Sequence, residues 1–421
     1  MGLNYLIDLE RGLKGSILKP FSFVHMADIH LGYEQYGLSV RREDFARAFS
    51  EAVDKTLELK PNFMIIAGDL FHQARPSNKT LEEAIQNFRR LREAGIPVLV
   101  VDGSHDGAPN VITGTILHPL DSAGLIYYLP RYEGACWEND SCYVYGIPNF
   151  RTRQRIEQRL PRFYEENEPR PKGDKFSIFV FHMALDIPEI MSGMPPEFAD
   201  ASPEIIPDGF DYYAGGHIHM PWQLPFKDSI LVYSGSTETV SYEEAEIDKG
   251  FYHVEVNGKG DFEIERVRLE GSRRFKVLER DFTGYSPKRI TEETVELIRE
   301  NDEPGVIIIP VIRGILPAEA SRNEIDMRRI REAAEQALLV RPIISMREES
   351  LPPEIVKSIF QDSLKNLRMK AFEYFNEFFS ERYGGEKAKR IAQLAVDLVQ
   401  HLVKGNDENV RRLLEGVFDE D

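Results

Sequence analysis

Short apolar runs that alternate with helical patterns open this chain, and their order constrains its fold more than any other feature. FSFVHMA (21–27), NFMIIAG (62–68) and PVLVVDG (97–103) predict buried strands, and the periodic segments between them predict helices. A β-α-β-α-β order predicts a parallel sheet with right-handed crossovers, because each helix returns the chain to the same end of the sheet. Later apolar runs predict further strands, at CYVYGI (142–147), KFSIFVF (175–181), DYYAGG (211–216) and ILVYSG (230–235).

Polar side chains cluster where these predicted strands end. They are Asp28, His30, Asp69, His72, Ser104, His105, Asp106, His182, His217 and His219. The chain has ten histidines, and six of them lie in these turns. In open α/β sheets the carboxyl ends of the strands converge on the ligand site, so the turns predict a single site.

This set of imidazoles and carboxylates fits a pair of divalent metal ions. Mixed imidazole and carboxylate ligands suit manganese, iron or zinc better than magnesium or calcium. One aspartate bridges two ions that lie about 3.5–4 Å apart, and such a pair activates a water and stabilises an in-line displacement at phosphorus. The residues by themselves therefore predict metal-assisted phosphodiester hydrolysis.

The order D-x-H, G-D, G-x-H-D, H and G-H-x-H resembles the signature of the calcineurin-like metallophosphoesterases. HMADIHLGY, IAGDLFH, GSHD, FHMAL, GGHIH and YSGSTE are similar to the archaeal Mre-eleven (SbcD-like) DNA-repair nucleases. The resemblance implies an α/β four-layer sandwich for residues 21–255, a small α/β capping and DNA-binding domain at 270–345, and a helical segment at 351–421. Residues 1–20 are then an N-terminal extension.

The resemblance also implies two Mn²⁺ per subunit. Asp28, His30 and His219 hold the first ion, Asp69 bridges, and the second ion is held by His182, His217 and Ser104. His105 stabilises the pentacoordinate phosphorus or protonates the leaving oxygen, and His72 aids exonuclease chemistry. Asp106 is expected to orient the His105 ring by hydrogen bonding.

Ser104 departs from the family pattern, which has asparagine at this position. A neutral hydroxyl is shorter than an amide and usually a weaker ligand, so we expect the second metal to be bound more weakly than the first. Ser104 is either a natural variant that binds through its hydroxyl or a water, or an engineered substitution, and the sequence leaves both open.

The net charge of the chain argues against the nucleic-acid substrate that the resemblance implies. A net charge of −18 argues against unaided nucleic-acid binding. A metal pair supplies positive charge at the scissile phosphate, and a partner with its own DNA-binding surface would supply the rest. Arg41, Arg42 and Arg75 lie beside the site turns and are expected to contact DNA phosphates.

The helical segment carries apolar side chains at helical spacing. The predicted partner contacts are Ile359, Phe372, Phe375, Phe379, Leu394 and Leu398. A short terminal segment buries several phenylalanines poorly by itself, so we expect it to dock onto the Rad-fifty (SbcC-like) ATPase that the resemblance implies. The family also implies a homodimer, with residues 79–93 at the interface.

No apolar run approaches the length of a membrane span, so no membrane association is expected. Cys136 and Cys142 cannot form a disulfide framework, which predicts two free thiols and a cytoplasmic location.

The leading reading is a manganese nuclease that processes double-strand break ends, as a 3′ to 5′ exonuclease on duplex and an endonuclease on single strands. Polarity and substrate come from the resemblance alone. The alternatives are a phosphodiesterase for small substrates, and a weakly active scaffold that tethers DNA ends because Ser104 disables the second metal.

Overall fold

Two six-stranded sheets form most of the fold in the computed structural model, which describes residues 18–107, 114–192, 195–317, 320–348, 364–380, 383 and 385–403. The strands are β1 (Phe21–Met26), β2 (Phe63–Ala67), β3 (Val98–Val101), β4 (Tyr127–Tyr128), β5 (Cys136–Glu138), β6 (Cys142–Gly146), β7 (Phe176–His182), β8 (Tyr212–Gly216), β9 (Trp222–Phe226), β10 (Ser229–Tyr233), β11 (Gly250–Gly258), β12 (Asp261–Arg268), β13 (Phe275–Asp281), β14 (Ile307–Leu316), β15 (Leu339–Val340) and β16 (Ile343–Glu348). The helices are α1 (Ser39–Leu59), α2 (Asn78–Glu93), α3 (Leu117–Ser122), α4 (Arg153–Glu166), α5 (Pro188–Met191), α6 (Pro287–Glu300), α7 (Met327–Arg331), α8 (Leu364–Ser380) and α9 (Gly385–Val403).

The first sheet has the strand order β12-β11-β1-β2-β3-β4. Strands β1, β2 and β3 are parallel, as predicted, because α1 and α2 return the chain to the same end of the sheet. Strands β11 and β12 extend the sheet as an antiparallel hairpin on the other side of β1. Helix α2 begins where Ser77 Oγ accepts a hydrogen bond from Thr80 N at 3.2 Å, a typical N-cap.

The second sheet, in the order β5-β6-β7-β8-β10-β9, packs face to face against the first. Side chains alternate along a strand, so Phe23 of β1 faces the second sheet, with its ring centroid 5.3 Å from that of Tyr212. Val24 faces the opposite side, where Phe49 of α1 and Phe88 of α2 lie in the same core. Helix α4 packs on the outer face of the second sheet. These layers confirm the predicted α/β sandwich.

The described residues divide into two compact units. The first lies within 1–278, 297–310 and 331–342 and contains both large sheets, and the second lies within 279–296, 311–330 and 343–421. In the first unit the start of β14 pairs in parallel with β15, and in the second unit the rest of β14 pairs in parallel with β16. The first sheet continues through β12, past the boundary predicted at residue 255. The boundaries at 21–255, 270–345 and 351–421 remain predictions.

Residues 270–345 contain both strands and helices, as an α/β domain requires, but one helical sequence pattern forms a shorter helix than expected. The helical pattern EIDMRRIREAAEQ gives only α7, which is five residues long. The Asp302 carboxylate accepts hydrogen bonds of 2.7–3.1 Å from the backbone N–H groups of Glu335, Gln336 and Ala337. These N–H groups are therefore satisfied by a distant side chain rather than by a continuing helix.

Near the end of the chain, α8 and α9 pack against each other. Helix α9 begins at Gly385. Ile359 and residues 1–17 lie outside the described residues.

Cys136 and Cys142 are free thiols, as predicted. Among the helices that the structure describes, none combines the length and apolar character needed to cross a bilayer.

Candidate metal centre

Turns at the carboxyl ends of strands from both sheets bring the predicted ligands together. The turns after β1, β2 and β3 belong to the first sheet, and those at β7 and β8 belong to the second. Asp28, His30, Asp69 and His217 have φ angles of 53°, 50°, 50° and 88°, in the left-handed region that non-glycine residues rarely adopt. Such strain persists where the surroundings enforce it, and here His30 N donates to the carbonyl of Asp69 at 2.9 Å.

Two glycines allow these turns to approach each other closely. A Cβ atom on Gly68 would overlap the ring of His182, and a Cβ atom on Gly103 would overlap the carboxylate of Asp69. Both glycines are therefore needed for space, and Gly68, with a φ angle of 88°, is also needed for the shape of its turn.

Asp28, His30 and His219 form the first candidate ligand cluster, with one ligand atom of each within 4.8 Å of the others. His30 Nε2 lies 3.3 Å from His219 Nε2, which in turn lies 3.7 Å from Asp28 Oδ1. Two nitrogens bound to one ion at about 2.1 Å lie roughly 3–3.5 Å apart, so this spacing fits a shared ion. Burial holds the pKa of His30 well below its usual range, which keeps the ring neutral and its lone pair available.

Asp28, Asp69 and His182 form the second cluster, again with ligand atoms within 4.8 Å of one another. His182 Nε2 lies 3.2 Å from Asp69 Oδ2, yet this buried nitrogen makes no well-aligned hydrogen bond. Burial lowers the pKa of His182, but the two carboxylates outweigh it and raise the pKa to about 10. A point where positive charge is this strongly favoured, beside a buried nitrogen that lacks a well-aligned hydrogen bond, fits a cation-binding site.

Asp69 belongs to the second cluster and also approaches the first, as expected of a bridging ligand. Its Oδ2 is 3.9 Å from His30 Nε2 of the first cluster and 3.2 Å from His182 Nε2 of the second. The Ser104 hydroxyl donates to this same oxygen at 3.3 Å. Ser104 therefore lies within reach of the second cluster, and its hydroxyl proton is directed at a carboxylate.

His217 lies beside the second cluster but outside the 4.8 Å groups. Its ring centroid is 5.2 Å from that of His182, and its Nε2 is 3.4 Å from Asp200 Oδ2. Burial, with the neighbouring His182 adding to the effect, lowers the pKa of His217 to about 3. Asp200 was not among the predicted site residues, because it lies in an irregular loop and belongs to no motif.

Three aromatic rings stack beside the clusters. The ring of His72 lies 3.8 Å from that of Tyr33 and 4.7 Å from that of His105, centroid to centroid. Ligand atoms of His30, His72 and His105 lie within 4.8 Å of one another, so the stack borders the metal clusters. His105 Nδ1 lies 2.9 Å from the carbonyl oxygen of His72. A carbonyl only accepts, so Nδ1 carries a proton and Nε2 stays available to a substrate.

A cavity of about 300 Å³ opens beside His72. Tyr33, Arg42, Gln73 and Thr80 are among the residues that line it. Its volume is at the lower end of the range for small-ligand sites. Because His72 belongs both to the cavity wall and to the ring stack, the cavity adjoins the reaction centre.

Asp106 does not orient the His105 ring, contrary to the prediction. Its Oδ2 accepts hydrogen bonds from Leu70 N at 2.7 Å and Phe71 N at 3.2 Å, and its Oδ1 accepts one from Gly103 N at 2.7 Å. The carboxylate is fully buried, where unpaired backbone N–H groups would be costly, and its role is to accept hydrogen bonds from these backbone groups. Asp106 thereby joins the turns after β2 and β3.

The predicted DNA contact at Arg41 is also wrong. Arg41 is fully buried, and its guanidinium donates to Asp44 Oδ2 at 2.7 Å, Gln35 Oε1 at 2.9 Å and the carbonyl of Thr239 at 2.8 Å. A buried guanidinium requires such partners, and this arrangement leaves it no access to a phosphate. Arg41 holds the scaffold together behind the site.

The other two predicted arginines lie closer to the surface. Arg42 forms an ion pair of 3.3 Å with Glu83 and lines the cavity. Arg75 is exposed near the start of α2. Their contact with DNA phosphates remains a prediction.

Another residue that the sequence reasoning missed is Glu244, whose carboxylate accepts a hydrogen bond from His219 Nδ1 at 2.7 Å. Its side chain is buried. The Ser241–Glu244 spacing is a capping-box pattern, but no sequence signal connects it to a histidine 25 positions earlier.

Comparisons with known proteins agree with this geometry. The family model described as calcineurin-like phosphoesterase matches residues 21–221. The chain is 30% identical over 344 residues to the DNA double-strand break repair protein Mre11 of Archaeoglobus fulgidus, which covers 74% of this chain and 71% of that protein. It is 28% identical over 365 residues to the protein of that name from Methanococcus maripaludis, covering 82% and 91%. The Mre11 protein of Thermoplasma acidophilum is 26% identical over 408 residues, covering 94% and 98%.

Proposed function

Because the chain belongs to the Mre11 family of calcineurin-like phosphoesterases and is a metal-dependent hydrolase, we propose that it is a two-metal DNA nuclease that processes double-strand break ends. The observation that carries the proposal is the pair of ligand clusters that share Asp28. The DNA substrate is supported by the relatives, which are named DNA double-strand break repair proteins.

Two Mn²⁺ per subunit are the proposed cofactors. The proposed ligands are Asp28, His30 and His219 for the first ion, Asp69 as the bridge, and His182, His217 and Ser104 for the second. When bound, such a pair supplies an activated water and neutralises the developing charge on a phosphodiester. Manganese is supported by the mixture of imidazole and carboxylate groups in the two clusters.

His105 is the proposed catalytic histidine. Its ring is exposed, and the hydrogen bond from Nδ1 to the carbonyl of His72 fixes its orientation. In the imidazolium form of His105, Nε2 also carries a proton, and it is then the ring atom that stabilises the pentacoordinate phosphorus or gives that proton to the leaving oxygen. His72 packs between Tyr33 and His105, and this position supports its proposed part in exonuclease chemistry.

We propose 3′ to 5′ exonuclease activity on duplex DNA and endonuclease activity on single strands, supported by the family resemblance. The net charge of −18 implies that DNA binding by this chain alone is weak and sensitive to salt. Arg42 and Arg75, beside the cavity and α2, are the proposed phosphate contacts. The capping domain proposed at 270–345 would add DNA-binding surface.

The proposed partner is a Rad-fifty (SbcC-like) ATPase, bound through residues 351–421, and the proposed assembly is a homodimer. The predicted contact residues on α8 and α9 that the structure describes are half-buried: Phe372, Phe375, Phe379, Leu394 and Leu398. Phe378 and Tyr383 expose 43% and 42% of their surface, which is unusual for large aromatic residues and supports a docking face.

The deciding experiment measures degradation of end-labelled duplex DNA with manganese. The chain is compared with its His105→Ser variant and with the wild type plus a chelator. We expect the wild type to shorten one strand from its 3′ end, and both comparisons to abolish shortening. Cleavage that survives the chelator would overturn the metal mechanism, and no cleavage by the wild type would favour the scaffold function.

A phosphodiesterase for small substrates is the second candidate, because the cavity beside His72 is the size of a small-ligand site. Turnover of bis-p-nitrophenyl phosphate without degradation of DNA would favour it. Turnover of both substrates, with both losing activity in His105→Ser, supports the nuclease.

A further inference from the structure

A buried carboxylate supports the candidate metal ligand His219 from the side away from the clusters. Glu244 Oε1 lies 2.7 Å from His219 Nδ1. A carboxylate only accepts when it is ionised, so Nδ1 carries the proton. When the ring is neutral, as a metal ligand must be, its lone pair lies on Nε2, the atom 3.3 Å from His30 Nε2 and 3.7 Å from Asp28 Oδ1.

The Glu244 carboxylate is itself held by several donors. Its Oε1 also accepts from Ser241 N at 3.0 Å, and its Oε2 accepts from Ser236 Oγ at 3.0 Å and Val240 N at 3.2 Å. Lys249 Nζ donates to the same Oε2. With every acceptor direction occupied, the side chain has one orientation, and His219 has one orientation with it.

Lys249 balances the charge of this support. Its side chain exposes only 2% of its surface, and a lysine is seldom buried without a charged partner. Lys249 also donates to Ser236 Oγ at 3.0 Å. The ammonium compensates the negative charge of Glu244, so this carboxylate does not itself compete for a cation. Its hydrogen bond to Nδ1 makes His219 Nε2 a better electron-pair donor to a metal ion.

We propose that Glu244, held by Lys249, is a positioning residue that fixes His219 as an Nε2 ligand and strengthens binding of the first metal ion. The inference rests on the proposed metal centre. It concerns only the first site, because Glu244 contacts His219 and none of the proposed ligands of the second ion.

The test is a calorimetric titration of the full chain with MnCl₂. The variants are Glu244→Gln and, as a matched control, Glu243→Gln, which changes the neighbouring exposed carboxylate. Loss of a hydrogen-bonded partner behind a metal ligand typically weakens binding about 10- to 100-fold. We expect Glu244→Gln to weaken the tighter binding step by this factor, and Glu243→Gln to leave both steps unchanged.

Glu244→Gln turns an amide NH₂ toward the ammonium of Lys249, so it can also destabilise the fold. The double variant Glu244→Gln/Lys249→Met removes both charges and keeps an amide oxygen near His219 Nδ1. We expect it to keep the melting temperature of the wild type and to retain the loss in the tighter step alone.

Equal weakening of both steps would mean a general loss of structure and would overturn the inference. Unchanged binding in both Glu244 variants would overturn it as well, while leaving the metal centre intact. A wild type that binds no manganese would overturn the proposed function and the inference together, so the two failures are distinguishable.

Discussion

At the scale of single residues, several candidate ligands have strained backbone conformations. Asp28, His30 and Asp69 hold left-handed φ angles, each of which costs about 1–3 kcal/mol. Hydrogen bonds between the turns offset part of this cost, as in the bond from Ile29 N to the carbonyl of Asp69 at 3.0 Å. The strained backbone sets the direction of the side-chain atoms that could bind a metal ion, and such strain is typical of functional sites.

A substitution at Ser104 would show how much one proposed ligand atom contributes to metal binding. We expect Ser104→Asn to strengthen binding of the second manganese ion, because an amide oxygen reaches further than a hydroxyl and carries more negative charge. The expected gain is on the order of tenfold, or about 1.4 kcal/mol of binding free energy. Titration with MnCl₂ measures it as a shift of the weaker step.

Two outcomes would contradict this account of Ser104. One is a wild type with two equally tight manganese sites, and the other is a weaker step that does not move in the asparagine variant. A large gain in DNA cleavage on Ser104→Asn would instead favour the scaffold function for the natural chain.

At the scale of elements, the turns rather than the strands decide whether the site exists. The turn after β3 approaches the turn after β2, and Asp106 connects them through backbone hydrogen bonds. This approach leaves no room for a side chain at Gly103. Close packing between the two turns therefore limits the residue at position 103 to glycine, as close packing limits side-chain size in a hydrophobic core.

We expect Gly103→Ala to abolish metal binding while most of the fold survives. The new Cβ would overlap the Asp69 carboxylate and displace the bridging ligand. Gly173→Ala is the matched control, because a Cβ at Gly173 meets nothing within 4 Å and neither glycine needs a positive φ angle. Manganese binding and circular dichroism are measured on both variants. Normal binding by Gly103→Ala would show that the turn adapts.

At the scale of the whole molecule, a buried ion network connects distant parts of the chain. Asp44 of α1 accepts hydrogen bonds from Arg41 at 2.7 Å and from Arg273, 229 positions away, at 2.6 Å and 2.7 Å. Arg41 also pairs with Glu238 at 3.2 Å. Removing one member of a buried pair costs about 3–5 kcal/mol, because the partner is left charged and unsatisfied.

We therefore expect Asp44→Asn to lower the free energy of unfolding by about 3–5 kcal/mol in urea denaturation at neutral pH. Asp54→Asn on the same helix breaks only the surface pair with Arg90 and should cost less than about 1 kcal/mol. Similar losses in the two variants would contradict the importance of the network.

The pH dependence of this loss follows from the pKa of Asp44. Burial raises that pKa, but hydrogen bonds from Arg273, Arg41 and Arg47 outweigh burial and lower it below 3.8. The stability from Asp44 is thus present above pH 3.8 and is lost as the pH falls through the lower folded-state pKa. The difference between wild type and Asp44→Asn should stay constant from about pH 5 to 7 and shrink below about pH 4.

The terminal helices test the proposed assembly. We expect a variant that lacks residues 351–421 to bind manganese normally, because its proposed ligands all lie between residues 28 and 219. The same variant should fail to co-purify with the ATPase, because the half-buried apolar residues of α8 and α9 are missing. Co-purification of the shortened chain would contradict the assignment.

The sequence by itself determined the order of elements along the first part of the chain, the parallel pairing of the first three strands and the side chains that meet at the strand ends. These features follow from local periodicity and from topology, since the carboxyl ends of parallel strands must share one edge. The convergence of the strand-end aspartates and histidines on one site could be predicted for that reason, whereas the grouping of Asp28, His30 and His219 around one ion came from the family resemblance.

Only the tertiary structure decided which partners the polar groups take. Asp106 supports a backbone turn instead of His105, Arg41 is buried instead of facing DNA, and Asp302 ends a predicted helix. Glu244 reaches His219 across a loop. A buried polar group bonds to whichever donor or acceptor the fold brings within about 3 Å, and that distance is unrelated to spacing along the chain.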